Sequence, residues 1–224
     1  MCGGEVTQLS STDTDTSAEA EPQPDERREA WAARLAEALG VGYAEHHIIG
    51  GSDLWVRVDR DSWADAATAA RDRLGCQFFD WLSAIDWLPS PYGRDMDAQE
   101  DNPEPKAADP MEQGHAGGET RFQMVMRLYS ITEHLGITIK ADLPDGDLSI
   151  DTLIGVYPGA DWHEREAWEM FGIHFNDHPD LRNIYLPGEF EGNPLRKDFP
   201  LLARRVKPWP GIVDVELFPG EEGP

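Results

Sequence analysis

The residues whose types could do chemistry are concentrated at positions 163–201, where charged side chains stand among large apolar ones. Two glutamates, Glu164 and Glu166, flank Arg165, and a pair of carboxylates is a common arrangement for general acid–base catalysis. Successive residues of a helix point about 100° apart, so these glutamates would not converge on one substrate atom. The triplet therefore fits a paired-carboxylate active site poorly, and we predict no catalytic residue in it.

Glu164 could instead have a structural role inside the fold. It shares one helical face with Trp168 and Phe171, at i, i+4 and i+7. A carboxylate buried beside aromatic rings needs a cationic partner, because an unpaired buried charge is strongly destabilising. Arg182 and Arg196 are the candidate partners in this chain, and a cation from another protein is the third possibility. We predict a buried ion pair that holds this region together.

Three histidines in the same stretch, His163, His174 and His178, raise the question of a metal site. The sequence contains no H-E-x-x-H motif, and neither of its two cysteines lies near these histidines. His178 directly precedes Pro179, a dipeptide typical of a turn in which the ring can bond the backbone. We therefore expect no metal site.

Motifs for other self-sufficient sites are also absent from the sequence. There is no G-x-G-x-x-G or G-x-x-x-x-G-K-[ST] loop for a nucleotide, and no G-x-S-x-G nucleophile elbow. Cys2 and Cys76 cannot supply the four ligands of an iron–sulfur cluster, and we expect no disulfide between them. We therefore expect this chain to bind no cofactor of its own.

Composition narrows the class of partner. The net charge of −24 argues against nucleic acid as the main partner, because the phosphate backbone would be repelled. No apolar run approaches the ~20 residues that span a bilayer, so we expect no direct membrane span. Residues 193–210 contain five Lys or Arg residues and one acidic residue. Such a basic island on an acidic protein suits an acidic partner surface.

Hydrophobic periodicity predicts the elements that must position the motif. The predicted elements are helices at 25–39 and 61–74, two strands within 46–58 around a Gly50–Gly51 turn, a strand within 76–89, a hairpin of strands at 121–131 and 136–143, a short helix within 149–157, and a helix from an Asp161 N-cap to Gly172. This order predicts an α+β fold, a small mixed or antiparallel sheet with helices packed on one face, followed by a long extended C-terminal arm.

The same pattern divides the chain into three regions. Residues 1–24 are polar and acidic and can bury very little, so we predict a disordered acidic tail. Residues 25–172 form the α+β domain, interrupted by a proline-rich insertion loop at 89–120 that we expect to be mobile. Residues 173–224 lose periodicity but keep many apolar side chains, so we predict an extended arm that lies along its own domain or along another subunit.

The dense motif resembles the signature of one family, the 30 kDa or C subunit of the proton-translocating NADH–quinone oxidoreductase, respiratory complex I. The signature positions are filled by Glu164, Arg165, Glu166, Glu169, Met170, Phe171, His178, Arg182, Ile184 and Tyr185. The next stretch resembles the family's G-H-P-L-R-K-D-[FY]-P-L, with Arg196, Lys197 and Asp198 at its charged positions. Asn193 stands where histidine is common, so no histidine chemistry is expected there. The resemblance is specific over 161–202 and weakly diagnostic upstream.

The resemblance implies an accessory subunit without a catalytic site, in the peripheral arm on the cytoplasmic side of the cell membrane. Its implied partners are the other subunits, especially the quinone-site D subunit and the iron–sulfur B subunit. FMN, iron–sulfur clusters and quinone would be bound by other subunits, and the assembly would pass electrons from NADH to quinone, coupled to proton translocation. The signature residues, with Arg196, Lys197 and Asp198, are then the candidate partner interface, and the arm at 173–224 is implied to wrap a partner.

Two other functions remain open at this point. The first is an independent hydrolase that uses Glu164, Glu166 and the histidines, and it predicts activity or tight metal retention in the purified chain. The second is the equivalent subunit of a related membrane-bound hydrogenase or formate-hydrogenlyase-type complex. The identity of the partner proteins would separate this second function from the NADH–quinone oxidoreductase.

Overall fold

The structure, a computed structural model, describes residues 25–89 and 110–199. The predicted acidic tail at 1–24, most of the predicted insertion loop, and residues 200–224 of the predicted arm lie outside these ranges. In chain order the helices are α1 (Glu26–Leu39), α2 (Trp63–Arg73) and α3 (Ala160–Phe171), and the strands are β1 (Tyr43–Ile48), β2 (Leu54–Val58), β3 (Phe78–Asp86), β4 (Phe122–Ser130), β5 (Leu135–Leu143), β6 (Ser149–Asp151) and β7 (His174–Asn176). Among these described residues, no helix combines the length and the apolar character that crossing a membrane requires.

Five strands form one mixed sheet in the order β1–β2–β5–β4–β3. Strands β2 and β5 run parallel, with Val56 opposite Ile139, and the other neighbouring pairs run antiparallel. Strands β4 and β5 form the predicted hairpin, in register from the Phe122–Leu143 pair onward. The predicted α+β class with a small mixed sheet is confirmed.

Helices α1 and α2 cover one face of this sheet. Alternation along four strands directs every second side chain to that face: Leu54, Val56, Val58, Leu82, Ala84, Met124, Met126, Leu128, Ile137, Ile139 and Ala141. Trp31 and Leu35 of α1 and Trp63 of α2 pack in the same buried cluster. Full burial of one such side chain contributes about 1.5–3 kcal/mol, so this face supplies much of the stability of the domain.

The opposite face of the sheet is buried along strands β4 and β5, where several side chains are polar. Gln123 Nε2 donates to the Gly117 carbonyl at 3.1 Å, and Lys140 Nζ donates to the Gln113 carbonyl at 3.4 Å. Burial lowers the pKa of Lys140 to about 8. Residues 110–118, at the end of the predicted mobile loop, therefore pack on the sheet, because they supply the carbonyl acceptors that buried polar groups require.

Residues 149–157 were predicted to form a short helix, and this prediction is wrong. They form strand β6 and a series of turns, and β6 pairs in parallel with β7. The partner strand begins at His174, so its pairing leaves no mark on the local periodicity of 149–157. Strand β7 also lies beyond the predicted domain boundary at residue 172, and its Phe175 belongs to the hydrophobic core.

Candidate functional site

Helix α3 carries most of the signature motif and packs against β3, an edge strand of the sheet. Gly159 is its N-cap residue, so Asp161, the predicted cap, lies in the first turn instead. The helix ends as predicted at Gly172, whose φ of 73° is the left-handed conformation that glycine adopts readily. His163 Nδ1 lies 3.1 Å from the Leu82 carbonyl, and this contact fixes the helix to the backbone of β3.

The side chain of Glu164 is completely buried near the start of α3. Its Oε2 accepts a hydrogen bond from Thr152 Oγ1 at 2.5 Å, and its Oε1 accepts one from the Leu153 backbone N–H at 2.6 Å. Burial raises the pKa of Glu164 to about 7, with the hydrogen bonds opposing this shift and the Asp161 carboxylate adding to it. The carboxyl group therefore occupies a closed polar pocket with no exposure to a substrate.

The predicted ion pair between Glu164 and an arginine is wrong. Arg182 is an exposed side chain that bonds Asp180 at 3.1 Å, and Arg196 Nε donates to the Phe171 carbonyl at 2.6 Å. Two hydrogen bonds and a raised pKa take the place of the cation, because a carboxyl group that can be neutral needs no counter-charge. Glu166, the other member of the predicted pair, is only half-buried.

His178 approaches Glu164 from the other side of the pocket. Its Nδ1 accepts a hydrogen bond from the Asp180 backbone N–H at 3.0 Å, so the predicted turn contact is confirmed. Its Nε2 lies 3.4 Å from Asp161 Oδ1 and 3.9 Å from Glu164 Oε2, and the imidazole side chain is fully buried. Within 25–89 and 110–199, no group of three or more His, Cys, Asp or Glu side chains is arranged to hold a metal ion.

Glu169 holds the C-terminal segment, residues 177–199, against α3. Its carboxylate accepts hydrogen bonds from three successive backbone N–H groups, those of Ile184 at 2.8 Å, Tyr185 at 3.0 Å and Leu186 at 2.6 Å. Burial pushes the pKa of Glu169 upward, but the three backbone donors outweigh burial and lower it. An ionised Glu169 therefore organises the backbone of an otherwise irregular stretch.

The C-terminal segment also bonds the last carbonyl groups of α3, which have no partner within the helix. The Leu195 backbone N–H donates to the Met170 carbonyl at 3.1 Å, and Arg196 donates to the Phe171 carbonyl. The Arg196 guanidinium lies 5.3 Å from the centre of the Phe122 ring. A cation at a helix C-terminus also interacts favourably with the helix dipole, so Arg196 stabilises this end of α3.

A second anchor attaches the segment to the sheet. Asp86, at the end of β3, has a fully buried side chain that accepts hydrogen bonds from Arg121 Nε at 2.9 Å and Nη2 at 2.7 Å. The same carboxylate accepts from the Lys197 backbone N–H at 2.8 Å, and Arg121 Nη2 lies 2.9 Å from Asp198. Burial pushes the pKa of Asp86 upward, but the bonds from Arg121 and Lys197 outweigh it and lower the pKa. The R-K-D stretch is thus tied to its own domain.

The structure divides the predicted interface residues into two groups. The side chains buried within the domain are those of Glu164, Arg165, Glu169, Phe171 and His178. The half-buried or exposed residues are Glu166, Met170, Arg182, Arg196, Lys197 and Asp198. Sequence reasoning missed Thr152, Asp86 and Arg121, and the one available signal was a charged Asp86 inside an aromatic-rich run.

Four large apolar side chains of α3 and the C-terminal segment remain exposed. Their exposed fractions are 61% for Trp162, 60% for Tyr185, 41% for Phe190 and 48% for Leu195. The Arg165 guanidinium lies 5.0 Å from the centre of the Trp162 ring. An open groove of about 210 Å³ lies between α3 and the segment. We name these four exposed side chains the outer apolar residues.

Sequence comparison identifies relatives of the chain. A model of the family described as "Respiratory-chain NADH dehydrogenase, 30 Kd subunit" matches residues 56–205. The C subunit of the NADH-quinone oxidoreductase of Geobacter sulfurreducens is 45% identical over 93 residues, which are 42% of this chain and 57% of that protein. The C/D subunit of the NADH-quinone oxidoreductase of Pseudomonas fluorescens is 46% identical over 88 residues, 39% of this chain and 15% of that protein. The chain thus spans less than two thirds of the length of these relatives.

A solved structure shares the fold at low sequence identity. It belongs to the membrane-bound sulfane sulfur reductase, described as an archaeal respiratory membrane complex. The match has a TM-score of 0.57 and 21% identity, and it covers 79% of this chain and 88% of that chain. The family match includes α3 and the whole C-terminal segment, and it spans more than half of the sequence. The chain therefore belongs to the family of the 30 kDa subunit of the respiratory-chain NADH dehydrogenase.

Proposed function

We propose that this chain is an accessory subunit of an NADH–quinone oxidoreductase, a translocase of the respiratory chain, with no catalytic site of its own. It helps to assemble the quinone-reducing module of the peripheral arm, on the cytoplasmic side of the cell membrane. FMN, iron–sulfur clusters and quinone are bound by other subunits. The observation that carries the proposal is that Glu169, a buried polar side chain of the signature, holds the C-terminal segment on α3.

The buried carboxylates near α3 are poorly placed for acid–base catalysis. Both oxygens of Glu164 are hydrogen-bonded inside the domain, and the side chains of Glu164 and Asp86 are fully buried. Glu169 is occupied by three backbone donors. A general acid or base must lie within hydrogen-bonding reach of its substrate, so these groups support a structural role.

The exposed side of the same region supports a partner-binding role. The outer apolar residues are two aromatic side chains on the segment, one leucine, and a tryptophan on α3. Tyr, Trp and Phe are enriched at protein interfaces, where the energy is concentrated in a few well-packed side chains. Because Glu169 and Arg196 already fix the segment, binding would not have to order it first, which lowers the entropy cost of association.

The name of the Pseudomonas relative joins the C and D subunits, and this chain matches 15% of that longer protein. Two subunits carried on one chain stay close in space. This supports a D-type, quinone-site subunit as the direct partner of the present chain. The iron–sulfur B subunit is the second partner that we propose, from the resemblance of the signature alone.

A double substitution on the outer apolar residues tests the partner surface. Tyr185→Asp with Phe190→Asp places charge on side chains that are 60% and 41% exposed, so the free chain should stay folded. We expect about a tenfold or greater loss of copurifying D-type subunit from native membranes, because two interface aromatics are removed. Val41→Asp, at a 99% exposed apolar residue after α1, is the matched control and should retain the partner.

The alternative is the equivalent subunit of a related membrane-bound hydrogenase or formate-hydrogenlyase-type complex. The chain shares its fold with a protein of a different respiratory membrane complex, so the fold is compatible with this candidate as well. The NADH-quinone oxidoreductase names of relatives at 45% and 46% identity favour the first candidate. Identification of the copurified proteins separates the two, since a nickel–iron subunit in place of a quinone-site subunit would contradict our proposal.

A further inference from the structure

A buried cluster of titratable groups joins the C-terminal segment to α3. The ring of His178 comes from the segment, and its Nε2 lies 3.4 Å from Asp161 Oδ1 and 3.9 Å from Glu164 Oε2. Because His178 Nδ1 accepts the Asp180 N–H, the proton of the neutral ring belongs on Nε2, facing the two carboxylates. This Nε2 is buried, and within the described residues no group forms a hydrogen bond with it. The His178 ring therefore packs beside Glu164 and closes one side of its pocket.

The other groups around Glu164 do not neutralise a negative charge on it. Thr152 and Leu153, just after β6, supply uncharged donors. Asp161 on α3 is another acid, and the Arg165 guanidinium lies 3.8 Å from Asp161. An ionised Glu164 is therefore opposed by burial and by a like charge, and these two effects outweigh the two hydrogen bonds that favour the ionised form.

We propose that docking of the C-terminal segment on α3 is linked to one proton on Glu164, so that the segment is held most tightly in acid and loosens as the pH rises to neutral. The proton comes from solvent and forms an O–H bond on the carboxyl group. Undocking removes the His178 ring, admits water to the pocket and allows Glu164 to ionise at its ordinary acidity. The docked state thus binds the proton more tightly than the undocked state.

The sign of the pH dependence follows from this difference. Burial raises the pKa of Glu164 from its ordinary value of 4.5 to about 7 in the docked chain. A raised pKa in the docked state means that docking takes up a proton between these values. The contribution to docking is complete below about pH 4.5 and is lost as the pH rises through about 7.

Amide hydrogen exchange of the full chain between pH 4.5 and 9 tests this linkage. Protection of the Ile184, Tyr185 and Leu186 amides, corrected for intrinsic exchange rates, reports docking because Glu169 bonds all three. We expect their protection to fall by up to about tenfold per pH unit as the pH rises from 4.5 to 7, and to level off above pH 7, in the wild-type chain. Glu164→Gln should make protection independent of pH.

Glu166→Gln is the matched control, since it makes the same change two residues away at a half-buried position. It should keep the wild-type pH dependence. Flat protection in the wild-type chain, or a fall that persists in Glu164→Gln, would overturn the proposal.

A second measurement does not depend on the variants folding. The carboxyl carbon of Glu164 can be titrated directly by NMR in the wild-type chain. A midpoint near 7 supports the linkage, and a midpoint near the ordinary value of 4.5 contradicts it. Both experiments use the free chain, so they are independent of which complex the chain assembles with.

Discussion

Glu164 and Glu169 lie on the same helix and are both buried, yet the pKa values of their carboxyl groups are shifted in opposite directions. Burial dominates at Glu164 and raises its pKa to about 7, whereas three backbone N–H donors lower the pKa of Glu169. The difference lies first in the depth of burial, which is greater for Glu164, and then in the number of hydrogen bonds that the ionised form receives, two against three, and in the neighbouring charge. Asp161 adds a like charge beside Glu164, while Arg165 adds an opposite charge beside Glu169. Residue type alone therefore does not give the role of a signature glutamate.

Glu169→Gln should loosen the C-terminal segment. The amide oxygen can replace one carboxylate oxygen, but the amide NH₂ group faces backbone donors and satisfies none of them. Loss of charge-assisted hydrogen bonds to a buried site costs about 2 kcal/mol, which we expect as a lower free energy of unfolding in urea.

The pH dependence of this effect has a definite sign. Because the pKa of Glu169 is lowered in the folded chain, its contribution is present above the ordinary value of 4.5 and is lost as the pH falls. The difference between wild type and Glu169→Gln should therefore shrink in acid. An equal difference at pH 7 and pH 3 would argue against the carboxylate as its source.

At the scale of elements, α3 and the C-terminal segment form one unit. The segment lacks regular structure, but His178 lies against the start of the helix, and Leu195 and Arg196 bond the last carbonyl groups of the helix. Through residue 199 the predicted arm therefore lies along its own domain, one of the two locations that the residue pattern left open. The polar groups of the segment bond its own domain, while several of its apolar side chains remain exposed.

Arg196→Glu should destabilise the free chain as well as its assembly. The substitution removes the donor to the Phe171 carbonyl and places a negative charge at the C-terminus of α3. We expect a loss of about 1–3 kcal/mol, seen as a drop in Tm of about 2–4 °C for each kcal/mol.

Arg182→Glu provides the comparison for this substitution. Arg182 is an exposed side chain paired only with the neighbouring Asp180, so its replacement should change the stability of the free chain by less than about 0.5 kcal/mol. Equal effects of the two substitutions would contradict the role that we assign to Arg196.

At the scale of the whole molecule, the two faces of the sheet are covered by different means. Helices α1 and α2 cover an apolar face, and residues 110–118 cover polar side chains on the other face through backbone carbonyls. Helix α3 belongs to the same core as α1 and α2, because its Ala160, Ala167 and Phe171 pack in the same buried cluster. The acidic residues 1–24 lie outside the described part of the chain.

Deletion of residues 1–24 should leave assembly and activity near normal. This stretch is polar and acidic and has little apolar surface with which to bind a partner. NADH–quinone reductase activity of native membranes carrying the truncated chain is the measurement. Loss of activity, or failure of the truncated chain to copurify with its partners, would show that the acidic stretch binds another component.

The sequence by itself determined the elements with strong local patterns. The alternation in β4 and β5 and the caps and apolar spacing of α1 predicted these elements to within one or two residues. The signature spacing predicted the family, which the family match confirms. These features are readable because hydrophobic periodicity and motif spacing depend on residues close together in the chain.

Only the tertiary structure decided the partners of the buried polar groups. Glu164 bonds Thr152 and Leu153 instead of an arginine, and Asp86 bonds Arg121 and Lys197, which are distant in sequence. The β6–β7 pair has the same origin, since parallel strands are joined through an intervening helix. Hydrogen-bond partners and burial depend on which segments the fold brings together, and no local pattern records that.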